Sequence, residues 1–169
     1  MIDLINRFNQ RLLRVEKIVA AVLIAGIAVC VFLQVLFRYV FESPLAWTDE
    51  LSRYLQVWMV FIGAAIAADR LSHFHLDLLH QYLPRGALHY VDIGVLLATL
   101  AFTGVLGFYG MQILETVHRQ LSPAIGVQMS YAYSAIPVGC ALMFWHLTVH
   151  LLNTVSDLVS NTAAQGEQQ

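Results

Sequence analysis

The sequence predicts an all-α membrane protein: four transmembrane helices, short interfacial amphipathic helices and both termini in the cytoplasm. Three observations carry this. Of the 169 residues, 59% are hydrophobic and 12% charged, whereas a soluble domain averages about 25% charged. Four apolar windows, at about 18–37, 51–69, 93–114 and 129–152, are each long enough to cross roughly 30 Å of hydrocarbon at about 1.5 Å per residue. Finally, the side holding both termini and the second loop carries Arg7, Arg11, Arg14, Lys17, Arg70 and Arg85, against Arg38, Arg53 and Arg119 on the other, which orients the termini inward. With short loops joining the spans, 18–152 reads as a single four-helix bundle, preceded by an interfacial segment at 1–17 and followed by a polar tail at 153–169.

In the first segment, Ile5, Phe8, Leu12 and Val15 form an apolar stripe while Arg7, Arg11 and Arg14 recur on another face, the pattern of a basic helix lying on a membrane surface. The basic residues ahead of an apolar stretch resemble a secretory signal. That reading is set aside, because 18–37 is longer than a signal core and no small-residue cleavage site follows. Cys30 in span one and Cys140 in span four read as small apolar side chains.

The connector after span one is crowded with charge and aromatic groups. Ser43-Pro44 has the form of a helix start, and Thr48-Asp49-Glu50 that of a second, with acids at the positive helix end. The spacing predicts a short surface helix, then a turn into span two, with Glu50 and Arg53 paired at i, i+3 and Arg38 at similar depth. Two readings stay open for Arg38, Trp47, Asp49, Glu50, Arg53 and Trp58. One is an interfacial anchor, with Tyr39, Tyr54 and both tryptophans in the aromatic belt and arginines snorkelling to phosphates. The other is a docking surface for a partner.

A second interfacial segment is expected at 73–83, ended by Pro84 and Gly86. Within it His73, Asp77 and His80 stand at i, i+4, i+7. A solvated helix face explains them better than a metal site, since a closed zinc site wants more support and no cysteine lies near. His146 and His150 lack the glutamate of a zincin motif and are expected at the headgroup boundary of span four. Pro137 and Gly139 predict a kink in that span, and Gly63 with Ala67 and Gly94 with Ala98 predict close helix contact.

The run Gln34-Val35, Arg38-Tyr39-Val40-Phe41, Pro44-Leu45, Trp47-Thr48, Glu50-Leu51, Arg53-Tyr54, Val57-Trp58 and Phe61 to Ala65 resembles the signature of the small, DctQ-like membrane subunit of TRAP (tripartite ATP-independent periplasmic) transporters. Arg70, His75, Asp77 and Leu83-Pro84 also fit that family's second loop. Glu42 stands where many relatives carry Asn, and Asp49 where Glu is frequent. The resemblance implies a bacterial inner-membrane subunit that pairs with a large multi-span permease, beside a periplasmic binding protein that captures an organic acid. Substrate and sodium sites would belong to the large subunit, leaving this chain as a scaffold without cofactor, metal or catalytic residue.

The residues agree with a non-transporting role. A coupled carrier needs ionisable or broken-helix features near the midplane, and the centres of these spans offer only Gln34, Thr99 and Thr103. No nucleophile, base or cofactor loop suggests an enzyme, and no basic run interleaved with aromatics suggests nucleic acid. Two rivals remain: a haem-binding respiratory anchor ligated by His89, His146 or His150, and a stand-alone homodimeric exporter.

Overall fold

The computed structural model describes residues 2–79 and 85–166, with side chains described over 4–70 and most of 91–156. Helix α1 is Ile2–Tyr39, α2 is Ala46–Leu79, α3 is Arg85–Val117, α4 is Ser130–Tyr133 and α5 is Ala135–Gly166. Stretches long and apolar enough to cross a membrane occupy Leu4–Tyr39, Ala46–Arg70, Ile93–Val117 and Ser130–Ser156. The chain is therefore a four-span helical membrane protein.

The 1–17 segment is no separate helix: α1 runs unbroken from Ile2 to Tyr39. Its packing face explains why. Asn6, Asn9, Leu13, Glu16, Ala20, Leu23, Ile27, Cys30, Gln34 and Phe37 alternate in steps of three and four residues, and all are buried or half-buried. That is a seam of period 3.5, which keeps one face of a helix against its neighbour along its whole length. Leu4, Phe8, Val15, Val22, Val29 and Phe32 lie off the seam and stay exposed. Likewise α2 continues beyond span two as far as Leu79, and α5 runs on into the 153–169 tail as far as Gly166.

The helices form an open row. α1 packs on α2, α2 on α5 and α5 on α3, while α1 and α3 share no contact among the described residues. Glycines set the close approaches. A Cβ at Gly139 would sit 2.5 Å from Phe61 Cβ, and one at Gly110 would sit 2.7 Å from Ile136 Cγ2. Gly107 against Cys140 and Gly26 against Leu55 leave 3.2 Å each. The expected pairs do not have this role: a Cβ at Gly94 meets nothing within 4 Å, and one at Gly63 reaches only Met59 of its own helix. Small residues at i, i+4 mark a surface that permits approach, but not which face a neighbour uses.

Span four also differs from expectation. Its irregularity falls at Ser134, between α4 and α5, and not in mid-span at Pro137 and Gly139. Proline has no N–H to bond the carbonyl four residues back, which here belongs to Tyr133, the last residue of α4. Pro137 itself lies in the first turn of α5, where a missing N–H is tolerated.

The connector holds no surface helix. Residues 40–45 form a turn, with Val40 N–H donating to Leu36 O at 2.9 Å and Ser43 N–H to Phe37 O at 3.0 Å, so Pro44 lies in irregular chain. Glu42 adopts φ 51°, a left-handed conformation that Asn tolerates better than Glu. This accounts physically for the Asn expected there in relatives. α2 then starts once, at Ala46, and the fully buried Thr48 hydroxyl donates to Leu45 O at 2.8 Å.

Between α3 and α4, residues 118–129 form a small hairpin-like loop. Ser122 N–H donates to Val127 O at 2.8 Å, Met129 N–H to Gln120 O at 3.0 Å, and Leu121 bridges Gln128. Gly126 closes the turn at φ 74°, a conformation open to glycine at no steric cost.

Candidate functional site: two polar clasps

Polar side chains that bridge elements gather at the two ends of the spans. At the connector end, Glu50 in the first turns of α2 is 5% exposed and points into the chain. Its Oε2 accepts from the backbone N–H groups of Ala124 at 2.9 Å and Ile125 at 3.2 Å, and its Oε1 from the Tyr54 hydroxyl at 2.7 Å. The buried Ser122 hydroxyl faces the same carboxylate. Trp58 Nε1 donates to Tyr131 O at 3.1 Å and ties α2 to α4 beside it. A carboxylate is a good filling for such a nest, since it only accepts and every group turned toward it donates.

The expected pair of Glu50 with Arg53 therefore does not form. Arg53 binds Asp49 instead, at 2.7 Å and largely in the open, because i, i+4 brings their side chains together on α2 while Glu50 is turned inward. Asp49 also accepts from Gln34 Nε2 of α1 at 3.4 Å. Arg38 and Trp47 are exposed at this end. Of the six residues expected to form one cluster, Glu50, Trp58 and Asp49 join the chain's own elements, and Arg38, Trp47 and Arg53 remain at the surface.

At the opposite end the structure brings together residues that sequence reasoning missed. His146 of α5 is 1% exposed, Glu16 of α1 is 3% and Asn9 of α1 is 9%. Asn9 Nδ2 donates to Asp69 Oδ1 of α2 at 2.9 Å. Because the carboxylate accepts, the Asn9 carbonyl is left facing His146 Nδ1 at 2.8 Å, and that nitrogen must carry a hydrogen. His146 Nε2 stands 3.0 Å from both Glu16 oxygens. His146 is thus held at both ring nitrogens, by the Asn9 carbonyl on one side and the Glu16 carboxyl on the other. One turn further out, Asn6 and Asn153 exchange amide hydrogen bonds at 3.4 and 3.1 Å.

His146 is thus a buried junction of three helices. The signal for it was present in the sequence: Asn6, Asn9 and Glu16 occupy seam positions of α1 that, Gln34 apart, otherwise hold apolar side chains. The His73, Asp77 and His80 set lies outside the described side chains, as does His89.

The clasps also gauge depth. Asn9 is level with Asp69 and Gln34 with Asp49. Between those levels α2 advances from 49 to 69, about 30 Å of helix, the hydrocarbon thickness of a bilayer. The two clasps therefore lie near the two ends of span two, Ala46–Arg70.

Comparison with known proteins adds an independent observation. The family model of the DctQ component of tripartite ATP-independent periplasmic transporters matches residues 27–157. The chain is 26% identical over 157 residues to the sialic acid TRAP transporter small permease protein SiaQ of Vibrio cholerae, covering 92% of this chain and 91% of that protein. It is 33% identical over 101 residues to the C4-dicarboxylate TRAP transporter small permease protein DctQ of Rhodobacter capsulatus, 59% of this chain and 44% of the relative. A third similarity, 24% over 132 residues, is to the sialic acid TRAP transporter permease protein SiaT of Haemophilus influenzae, where it spans 78% of this chain but 21% of that protein.

Proposed function

The chain belongs to the DctQ component family of tripartite ATP-independent periplasmic transporters, a family of permease subunits and not of enzymes, and from that premise we propose that it is the scaffold against which a large multi-span permease works. It resides in the bacterial inner membrane with both termini and the Glu16–His146 clasp at the cytoplasmic side, so that the Glu50 clasp faces the periplasm. The large subunit pairs with it as a heterodimer and carries the substrate and the sodium ions that drive uptake. A periplasmic binding protein delivers the substrate, and the surface groups Arg38, Trp47, Asp49 and Arg53 help receive it. The substrate is an organic acid, in keeping with the sialic acid and C4-dicarboxylate in the relatives' names.

One observation carries the scaffold reading. The buried ionisable groups Glu16, His146 and Glu50 are engaged with the chain's own helices and loop, and every buried side-chain polar atom among the described residues has a partner. Residues committed in this way brace a structure; a carrier keeps such groups available to an ion or solute. The match to about a fifth of SiaT further supports a working place beside a much larger permease. The haem-anchor reading loses its best-placed ligand, because both ring nitrogens of His146 face protein partners.

The test is co-expression with the large permease encoded beside it, followed by purification through a tag on this chain alone. A stoichiometric heterodimer is the expected outcome. A stable, solitary chain showing a Soret band, or one that never retains the permease, overturns the proposal.

A further inference from the structure

We propose that the N-terminal stretch of α1 is a fixed docking face for the headgroups of anionic phospholipids in the surrounding bilayer. The proposal requires only that the chain spans a membrane, so it stands apart from the transporter reading.

Arg7, Arg11 and Arg14 are exposed and share one side of α1 at i, i+4, i+7, with Lys17 exposed one turn on. The rotation of this stretch is set from behind. Asn6 holds Asn153, Asn9 holds Asp69 and His146, and Glu16 holds His146, so the arginines face away from α2 and α5. Those contacts also engage the Glu16 and Asp69 carboxylates inside the chain, where they are turned from the guanidinium groups. The same contacts tie this stretch to α2: Asn9, between Arg7 and Arg11, is level with Asp69, near the end of the span Ala46–Arg70.

Beside the arginines the helix exposes hydrocarbon. Leu4, Phe8 and Val15 are 75%, 56% and 57% exposed, and Phe8 meets Trp145 edge-on with ring centroids 5.5 Å apart. This juxtaposition selects the occupant. An acidic soluble protein would match the charge but leave the apolar side in water, and free phosphate would match the charge alone. An anionic lipid supplies a phosphate for the planar guanidinium fork and acyl chains for Phe8 and Val15, which lie deeper along α1 than Arg7.

The full-length chain reconstituted in phosphatidylcholine vesicles tests this, with Trp145 as the reporter and the W145F chain as the subtraction. At equal minor mole fractions, acyl-brominated phosphatidylglycerol is expected to quench Trp145 more than acyl-brominated phosphatidylcholine, a relative association of about two- to fivefold that falls with added salt. The combined Arg7→Gln, Arg11→Gln and Arg14→Gln variant brings the ratio to one, while the three Arg→Lys replacements retain most of it. Should the glutamine variant fold poorly, the lysine variant and the salt dependence of the unaltered chain still decide. A ratio of one in the unaltered chain, an excess that survives the glutamine variant, or an excess removed by millimolar inorganic phosphate overturns the proposal.

Discussion

Glu16 and Glu50 are both nearly buried carboxylates near opposite ends of the bundle, yet they are satisfied in opposite ways. Glu50 fills a nest whose donors include backbone N–H groups, and a surface loop supplies all of its partners but Tyr54. Glu16 faces a side chain that can itself hold charge, inside a three-helix junction. The Glu50 clasp, outer in the proposed orientation, orders a loop, whereas the Glu16 clasp, the inner one, fixes how α1 sits against α2 and α5. Damage at the inner end strands a buried ionisable partner; damage at the outer end loosens the backbone amides of a surface loop.

The largest expected effect follows at the inner end. His146→Leu leaves Glu16 buried without its partner, and breaking such a pair costs about 3–5 kcal/mol. The thermal unfolding midpoint of the detergent-solubilised chain should fall sharply. Replacing both residues by apolar ones, Glu16→Met with His146→Leu, should restore much of the loss; equal destabilisation by the single and double variants would break the comparison.

Midway along the row, Gly139→Val places a side chain where Phe61 already stands. Overpacking of this kind costs about 1–3 kcal/mol. Gly94→Val, with open space around it, serves as the control in the same unfolding measurement and should change stability far less.

At the outer end, Glu50→Ala removes the carboxylate that accepts from the Ala124 and Ile125 N–H groups, of which Ile125 keeps the Ser122 hydroxyl, and should destabilise less than either change above. Hydrogen exchange should accelerate at those two amides and leave the Glu16 region unchanged. Glu50→Gln should be milder, since its carbonyl still accepts from the nest while its amide turns to Tyr54. Acceleration spread evenly over both ends would show that the clasps are not independent.

Two smaller effects sharpen the outer end. Glu42→Asn relieves the left-handed turn and should stabilise by up to about 1 kcal/mol, read as a higher unfolding midpoint. Arg53→Glu breaks only the exposed pair with Asp49 and should change stability by less than about 1 kcal/mol, so any large loss of heterodimer on that substitution would mark Arg53 as a contact with the partner.

Much of this architecture was legible in the sequence because lipid imposes length and apolarity on each span, and those are linear properties. The resemblance carried by the 34–65 run reached the family by the same linear reading. The clasps were not legible in this way. Glu16 sits in a segment dominated by arginine and lysine, and its partner His146 lies 130 positions away, so nothing local joins them. Glu50 was singled out for its charge, but its partners are backbone amides of a loop, which no side-chain pattern announces. Pro137 was misplaced by its own number: a proline disturbs the carbonyl four residues earlier, and that residue ends α4.

The central claim is that this chain braces a transporter and moves nothing by itself. The most direct measurement is uptake of isotopically labelled organic acid into proteoliposomes under an inward sodium gradient, with the chain alone, with the large permease added, and with the binding protein added to both. The account predicts no uptake by the chain alone and sodium-dependent uptake only when all three proteins are present. Substrate flux through the solitary chain would contradict it.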